Sequence, residues 1–341
     1  MVDIVTFGEA MIRLSPPPFQ RLEQARTLDL QVGGAEFNVA ADAARLGLRT
    51  AWVSRLPDNP LGRVIAARAR EHGVDTSSIA WVPGGRVGLY FYEFGASPRP
   101  SSVLYDRENS AVSRIGPGEI AWAKIVQGAK VFHVSGITPA LSPSAARATT
   151  EALEAARAAG LTVSYDLNYR RKLWSPEEAR RVQEPMMRHV DILITNEEDP
   201  GAVFGITAGG AADEAFRSVS AGAYREIACR LRDRFGFKAV AVTLRESPSV
   251  WKNSWSAVLL EGDRFYEDRK VELEIVDRLG GGDSFSAGLL YGLVTRGSLE
   301  YGLRFGIACS ALKHSHPGDV NLSTREEVEQ FMKGGGARVV R

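Results

Sequence analysis

The sequence predicts an α/β three-layer sandwich, a mostly parallel sheet with helices on both faces, carrying a small β-sheet lid. Short apolar runs rich in β-branched residues alternate along the chain with longer stretches of helical period. Two segments break that alternation with strand period instead. A chain of 341 residues, 44% hydrophobic, is long enough for one large α/β core with additions.

The expected core strands are Asp3 to Phe7, Thr50 to Ser54, Lys130 to Ser135, Leu161 to Asp166, Asp191 to Thr195 and Lys238 to Leu244. Each is a short apolar run, as strands covered on both faces are. Between them the helical period runs over Ala35 to Leu46, Leu61 to His72, Ser144 to Ala159, Pro176 to Arg188 and Ala221 to Phe235, several followed by glycine. Residues 10–32 and 84–113 are rich in Pro, Gly, Arg and alternating aromatics, as in Gly88-Leu89-Tyr90-Phe91-Tyr92-Glu93-Phe94. They are expected to form antiparallel strands, either a lid over a site or an ordinary surface hairpin, leaving 1–9, 33–83 and 114–341 as the core. Thr207 to Gly222, small and polar, reads as an exposed loop or short irregular helix.

Composition excludes several function classes. With 42 basic and 41 acidic residues the formal charge is +1, which gives no electrostatic case for nucleic acid or an anionic membrane as partner. Cys229 and Cys309 are far apart in apolar helical contexts, so neither a disulfide framework nor a zinc site is expected. His133, His189, His314 and His316 lack metal spacing. The first residues carry no basic leader and no apolar run reaches membrane-spanning length, so a soluble cytoplasmic protein is expected.

The most informative segment is Leu279-Gly280-Gly281-Gly282-Asp283-Ser284-Phe285-Ser286. Successive glycines let backbone N–H groups close around an anion, and the helix that follows adds the partial positive charge of its N-terminus. Asp283 sits in the first turn, where a carboxylate repels the same anion. General-base catalysis of phosphoryl transfer would explain it: Asp283 takes the proton of an attacking hydroxyl while the amides hold the developing charge. The alternative is a helix-capping aspartate after a plain glycine turn. A second constellation, Gly33-Gly34 with Asn38 in the first turn of the next helix, reads as a sugar-contacting turn or a tight turn into a packed helix.

Together, Gly33-Gly34, Asn38-Val39-Ala40 and Ala44-Arg45-Leu46-Gly47, followed by Asp277-Arg278-Leu279-Gly280-Gly281-Gly282-Asp283, resemble the two signatures of the ribokinase-like (PfkB) carbohydrate kinases. The resemblance covers essentially the whole chain and implies a Rossmann-like αβα core with a β-sheet lid, and ATP and Mg²⁺ as co-substrate and cofactor. Asn196-Glu197-Glu198-Asp199 is similar to the family's Asn-x-x-Glu motif, with Asp in the fourth position, and implies Glu197 and Asp199 as magnesium residues acting through water. By the same resemblance Asn196, Thr243, Arg245, Gly280, Gly282 and Lys313 line the nucleotide site, and a monovalent cation such as K⁺ binds near the anion hole with Asp277 as a ligand.

Within the family, four blocks are similar to the branch acting on 2-keto-3-deoxygluconate: Gly8 to Pro16, Asp166-Leu167-Asn168-Tyr169-Arg170 with Leu173-Trp174, Thr243 to Ser247, and Ala311 to Asp319. This implies Gly33, Gly34, Asn38, Tyr90, Tyr105, Arg107 and Arg170 as sugar-acid contacts. Arginine suits a C1 carboxylate because its planar fork binds with two parallel hydrogen bonds. The expected reaction is ATP-dependent phosphorylation of 2-dehydro-3-deoxy-D-gluconate at C6. The alternatives are a kinase of the same family for fructose, ribose or the galactonate epimer, and a non-catalytic sugar-acid sensor. The exposed strand edges of a lid suggest a homo-oligomer.

Overall fold

In the computed structural model, residues 1–208, 221–246 and 249–334 are described. The central sheet runs in the order Arg264–Glu267, Lys252–Glu261, Ala239–Glu246, Ile192–Asn196, Thr162–Asp166, Val131–Ser135, Ile4–Phe7, Thr50–Pro57, Ile79–Val82, and Val271–Glu274 also pairs with Lys252–Glu261. From Ala239–Glu246 to Ile79–Val82 every neighbouring pair is parallel. The core strands are buried along almost their whole length, which is why they read as unbroken apolar runs. The strand order reverses direction at Ile4–Phe7, which lies between Val131–Ser135 on one side and Thr50–Pro57 on the other. Ligands on such sheets sit outside the carboxyl ends of the strands at a reversal of this kind.

Each expected core strand is present within one to three residues of its sequence limits. The helices Ala35–Arg45, Pro60–Glu71, Pro143–Ala158 and Ala221–Phe235 also lie where the period puts them. One expectation is corrected. The stretch Pro176 to Arg188 is an α-helix only over Pro176–Gln183 and continues as a 3₁₀ segment, Glu184–His189. Pro185 offers no N–H and crowds the preceding turn, so the α-helical ladder cannot pass it. The antiparallel strands from Lys252 to Glu274 and the helices Leu299–Lys313 and Arg325–Met332 complete the core. The expected loop or irregular helix over 207–222 falls mostly on 209–220, outside the described residues, as does Ser247.

A separate four-stranded sheet has the order Asp29–Gly33, Met11–Ser15, Gly88–Glu93, Ser102–Asp106; its two hairpin pairs are antiparallel as expected, but Met11–Ser15 and Gly88–Glu93, which join the two segments, pair in parallel because they come from separate hairpins. It is anchored to the core by Arg13, a guanidinium 1% exposed. Arg13 pairs with Asp277 at 2.6 Å and Asp319 at 2.7 Å and stacks 4.5 Å over the Tyr92 ring. An isolated buried charge would be prohibitive, so this pairing is a condition for placing an arginine there. No described helix is long and apolar enough to cross a membrane.

Candidate active site

The glycine turn leads directly into the helix Gly281–Arg296. Gly280 caps it at φ 81°, ψ −2°, a left-handed conformation costly for any residue with a Cβ. Space reinforces the requirement, since a Cβ on Gly280 would lie 1.8 Å from the Asp319 carbonyl oxygen and one on Gly281 would lie 2.4 Å from the His314 ring. At Gly282 a Cβ would meet nothing within 4 Å, so that side of the turn is open. The first intrahelical hydrogen bond is Ser284 N–H to the Gly280 carbonyl, at 2.8 Å. The N–H groups of Gly281, Gly282 and Asp283 precede it and have no intrahelical acceptor, as in any first turn.

Asp283 stands where two cavities meet and lines both. Its Oδ2 accepts a 2.6 Å hydrogen bond from the Asn38 side-chain amide, so the two glycine constellations, 245 positions apart, converge on one carboxylate. Burial pushes its pKa up to about 6, against the opposing pull of the Asn38 hydrogen bond and the Arg170 charge. That value suits a base working near neutral pH.

The first cavity is bounded by the lid. Gly33, Gly34, Asn38, Tyr90, Tyr105, Arg107 and Arg170 all line it, and so do Glu9 and Asp319. Both glycines are required by close approach. A Cβ on Gly33 would overlap the Asp319 carboxylate and the Tyr90 hydroxyl, and one on Gly34 would lie 2.1 Å from the Glu9 carbonyl oxygen. The two arginines differ. Arg107 is ion-paired with buried Glu9, which also accepts from Ser110 Oγ at 2.5 Å. Arg170 is exposed, donates to the Tyr169 carbonyl at 3.2 Å and forms no ion pair among the described residues.

The second cavity is lined by Asn196, Glu197, Glu198, Thr243, Arg245, Arg278 and the three glycines, with Asp166, Asn168 and Arg170 at the junction. Asn196 Oδ1 accepts from the N–H groups of Glu198 and Asp199, both at 2.8 Å, which fixes the turn after its strand. Burial raises the Glu197 pKa, and burial with the nearby Asp283 and Asp199 charges raises that of Asp166. Four acidic groups, Asp166, Glu197, Glu198 and Asp283, share this cavity with Arg170, Arg245 and Arg278. Among the described residues no three acidic or histidine side chains converge as a direct metal cage, so the donor set suits a hydrated ion bridged to the ligand's own oxygens.

Two residues expected here are placed elsewhere. Lys313 is fully buried beneath the loop that begins at Asp277 and lines neither cavity, because its Nζ is drawn to backbone carbonyls there. Asp199 is turned away, its Oδ2 accepting from the Tyr169 N–H at 2.9 Å, so Glu197 and Glu198 are the acidic groups of that motif that line the cavity. Asp166, Asn168, Glu9 and Asp319 join the site without having been singled out as site residues. For Glu9 and Asp166 the available signal was position, since each lies at the carboxyl end of a core strand. Asn168, at φ 42°, and Asp319, from the C-terminal loop, carried no such local mark.

A parallel sheet with its site at the strand ends, an amide-lined turn and a half-buried carboxylate define a phosphotransferase of the ribokinase type. The chain belongs to the pfkB family carbohydrate kinases, matching that family over residues 1–326. It is similar to a 2-dehydro-3-deoxygalactonokinase of Haloferax volcanii, 40% identical with 99% of each chain covered. It is also similar to a 5-dehydro-2-deoxygluconokinase of Shouchella clausii, 30% identical over 97% of this chain and 95% of the relative. Among solved structures, a 2-dehydro-3-deoxygluconokinase from Thermotoga maritima superposes with a TM-score of 0.93 at 44% identity, covering 98% of this chain and 100% of that one.

Proposed function

We propose that this carbohydrate kinase transfers the γ-phosphoryl group of ATP to the C6 hydroxyl of 2-dehydro-3-deoxy-D-gluconate, giving the 6-phosphate. The observation that carries the reading is the Asp283 carboxylate at the junction of the two cavities, held by Asn38 and raised to a pKa of about 6. The sugar acid occupies the lid-side cavity, with its C6 hydroxyl at Asp283 and its C1 carboxylate at Arg170 and Arg107. The nucleotide occupies the other, along Asn196, Thr243 and Arg245, with its terminal phosphate at the glycine turn. Asp283 accepts the hydroxyl proton as the new O–P bond forms and the bond from the γ-phosphorus to the β-bridging oxygen breaks, releasing ADP. The free N–H groups of the first helical turn hold the negative charge that builds on the phosphoryl oxygens. Glu197 and the neighbouring acidic groups would hold a magnesium ion through water, and that ion would supply neutralisation of the nucleotide phosphates. The lid is formed by 10–32 and 84–113 over a core of 1–9, 33–83 and 114–341, and its outer strand Ser102–Asp106, largely exposed, offers an edge for a homo-oligomer.

The substrate class rests on two supports. An arginine without an ion pair in the lid-side cavity favours an acidic sugar, and the three relatives above are named for keto-deoxy hexonic acids. The Haloferax relative favours a second reading, the galactonate epimer at C4. The test is ATP turnover with Mg²⁺ on 2-dehydro-3-deoxygluconate, its galactonate epimer, 5-dehydro-2-deoxygluconate, fructose and ribose, with the phosphorylated position read by NMR. Phosphorylation of the gluconate compound at C6 in preference to the others is expected. Preference for the galactonate epimer selects the second reading, and preference for a neutral sugar overturns the substrate class.

A further inference from the structure

The cluster beneath the glycine turn has a composition that the reaction itself does not explain. Lys313, 0% exposed, ends the helix Leu299–Lys313, and its Nζ donates to the carbonyls of Asp277 at 3.2 Å and His316 at 3.4 Å. These carbonyls belong to the two loops that shape the turn: Asp277 leads into Gly280, and His316 leads to Asp319, whose carbonyl presses against Gly280. The Asp277 carboxylate has three partners. Its Oδ2 meets Arg13 at 2.6 Å and accepts from the Gly318 N–H at 3.0 Å, while its Oδ1 accepts from the Leu279 N–H at 3.1 Å. Asp319 in turn accepts from Arg13 at 2.7 Å and from the Tyr90 hydroxyl at 2.6 Å. Two buried cations, Arg13 and Lys313, thus meet the two buried carboxylates Asp277 and Asp319, and the buried Asp42 carboxylate also lies within electrostatic reach of Lys313.

A monovalent metal ion at this place, which family resemblance implies, needs several oxygen ligands with free lone pairs. The residues present do not fit it. The ammonium already uses the two carbonyls, and the guanidinium and two N–H groups already use the Asp277 carboxylate. An alkylammonium group has the charge of K⁺ and nearly its size. Burial lowers the Lys313 pKa, a shift that the Asp277 and Asp319 charges offset in part.

We infer that the Lys313 ammonium is a built-in substitute for a monovalent metal ion, a positioning residue that fixes the two loops forming the anion-binding turn, so that turnover needs no K⁺. The assay relies on the kinase reading above; the inference itself rests on the geometry of the cluster. The experiment compares the parent enzyme in tetramethylammonium chloride and in KCl at a matched ionic strength of about 0.1 M. Equal kcat within about twofold is expected, and stimulation by K⁺ of about tenfold or more overturns the inference. The melting temperature, which requires no substrate, should also be the same in both salts, and a rise specific to K⁺ overturns the inference even without turnover. Absence of turnover in both salts counts against the kinase reading alone. Lys313→Met should lower kcat about tenfold or more per folded molecule while leaving KM for the sugar acid nearly unchanged. If it lowers only the melting temperature, the positioning role is wrong; if it fails to fold, the salt comparison on the parent still decides.

Discussion

The two cavities that meet at Asp283 are built from different materials. On the lid side the walls are side chains that hold one another, Arg107 on Glu9 and Tyr90 on Asp319 through a 2.6 Å hydrogen bond. On the other side the reacting region is backbone, a left-handed glycine followed by N–H groups of a first helical turn, with open space at Gly282. Recognition of one sugar requires donors and acceptors at fixed positions, which interlocked side chains provide. Stabilising the diffuse charge of a transferring phosphoryl group requires several converging dipoles, which a glycine turn supplies without side chains. Asp283 belongs to both regions: its helix comes from the glycine turn and its hydrogen-bond partner, Asn38, from the lid-side constellation.

Substitutions should separate the two regions. The largest effect is expected at the junction. Asp283→Asn keeps the shape and removes the base, and kcat should fall by about 10²- to 10⁴-fold. The same variant should be no less stable than the parent above pH 6, and a thermal melt would check it. The sign follows from the raised folded-state pKa of about 6 against an ordinary 3.8. The folded protein binds this proton more tightly than the unfolded chain, so Asp283 adds stability below pH 4 and that contribution is lost as pH rises through 6.

The next effect sharpens the contrast between the arginines. Arg170→Ala should weaken kcat/KM for the sugar acid by about 2 kcal/mol, at the low end for truncating a charged partner because the side chain is exposed. A neutral sugar should be much less affected. Equal loss on both would place Arg170 with the phosphoryl group. Arg107→Ala should also lower the melting temperature, since it leaves Glu9 buried without its partner. The smallest effect is expected from Asn38→Ala. Removing the donor to Oδ2 withdraws support from the carboxylate form, so the acidic limb of the pH–rate profile should move to higher pH, with turnover at pH 8 reduced least.

The same comparison accounts for what the sequence made legible. The glycine turn and its aspartate are contiguous, and their chemistry follows from local backbone rules, so both could be read from eight residues. The core strands were legible because burial on both faces leaves apolar runs that polar substitution would interrupt. The lid-side cavity is assembled from Glu9, Asn38, Arg107 and Asp319, which lie far apart in the chain and meet only through the fold. Asp319 leaves no local pattern, and Glu9 is marked only by its position just after a core strand. Lys313 shows the converse: family resemblance puts it on the nucleotide site, yet it is buried against two carbonyls, a pairing that only tertiary structure reveals.

The most direct test of Asp283 as a desolvated base is the pH dependence of kcat/KM for the sugar acid. It should rise with pH through an apparent pKa of about 6 and then level, because the carboxylate must be unprotonated to accept the hydroxyl proton. A profile still flat down to pH 4.5 would contradict the account, since it would show that no group with the environment of Asp283 governs the reaction.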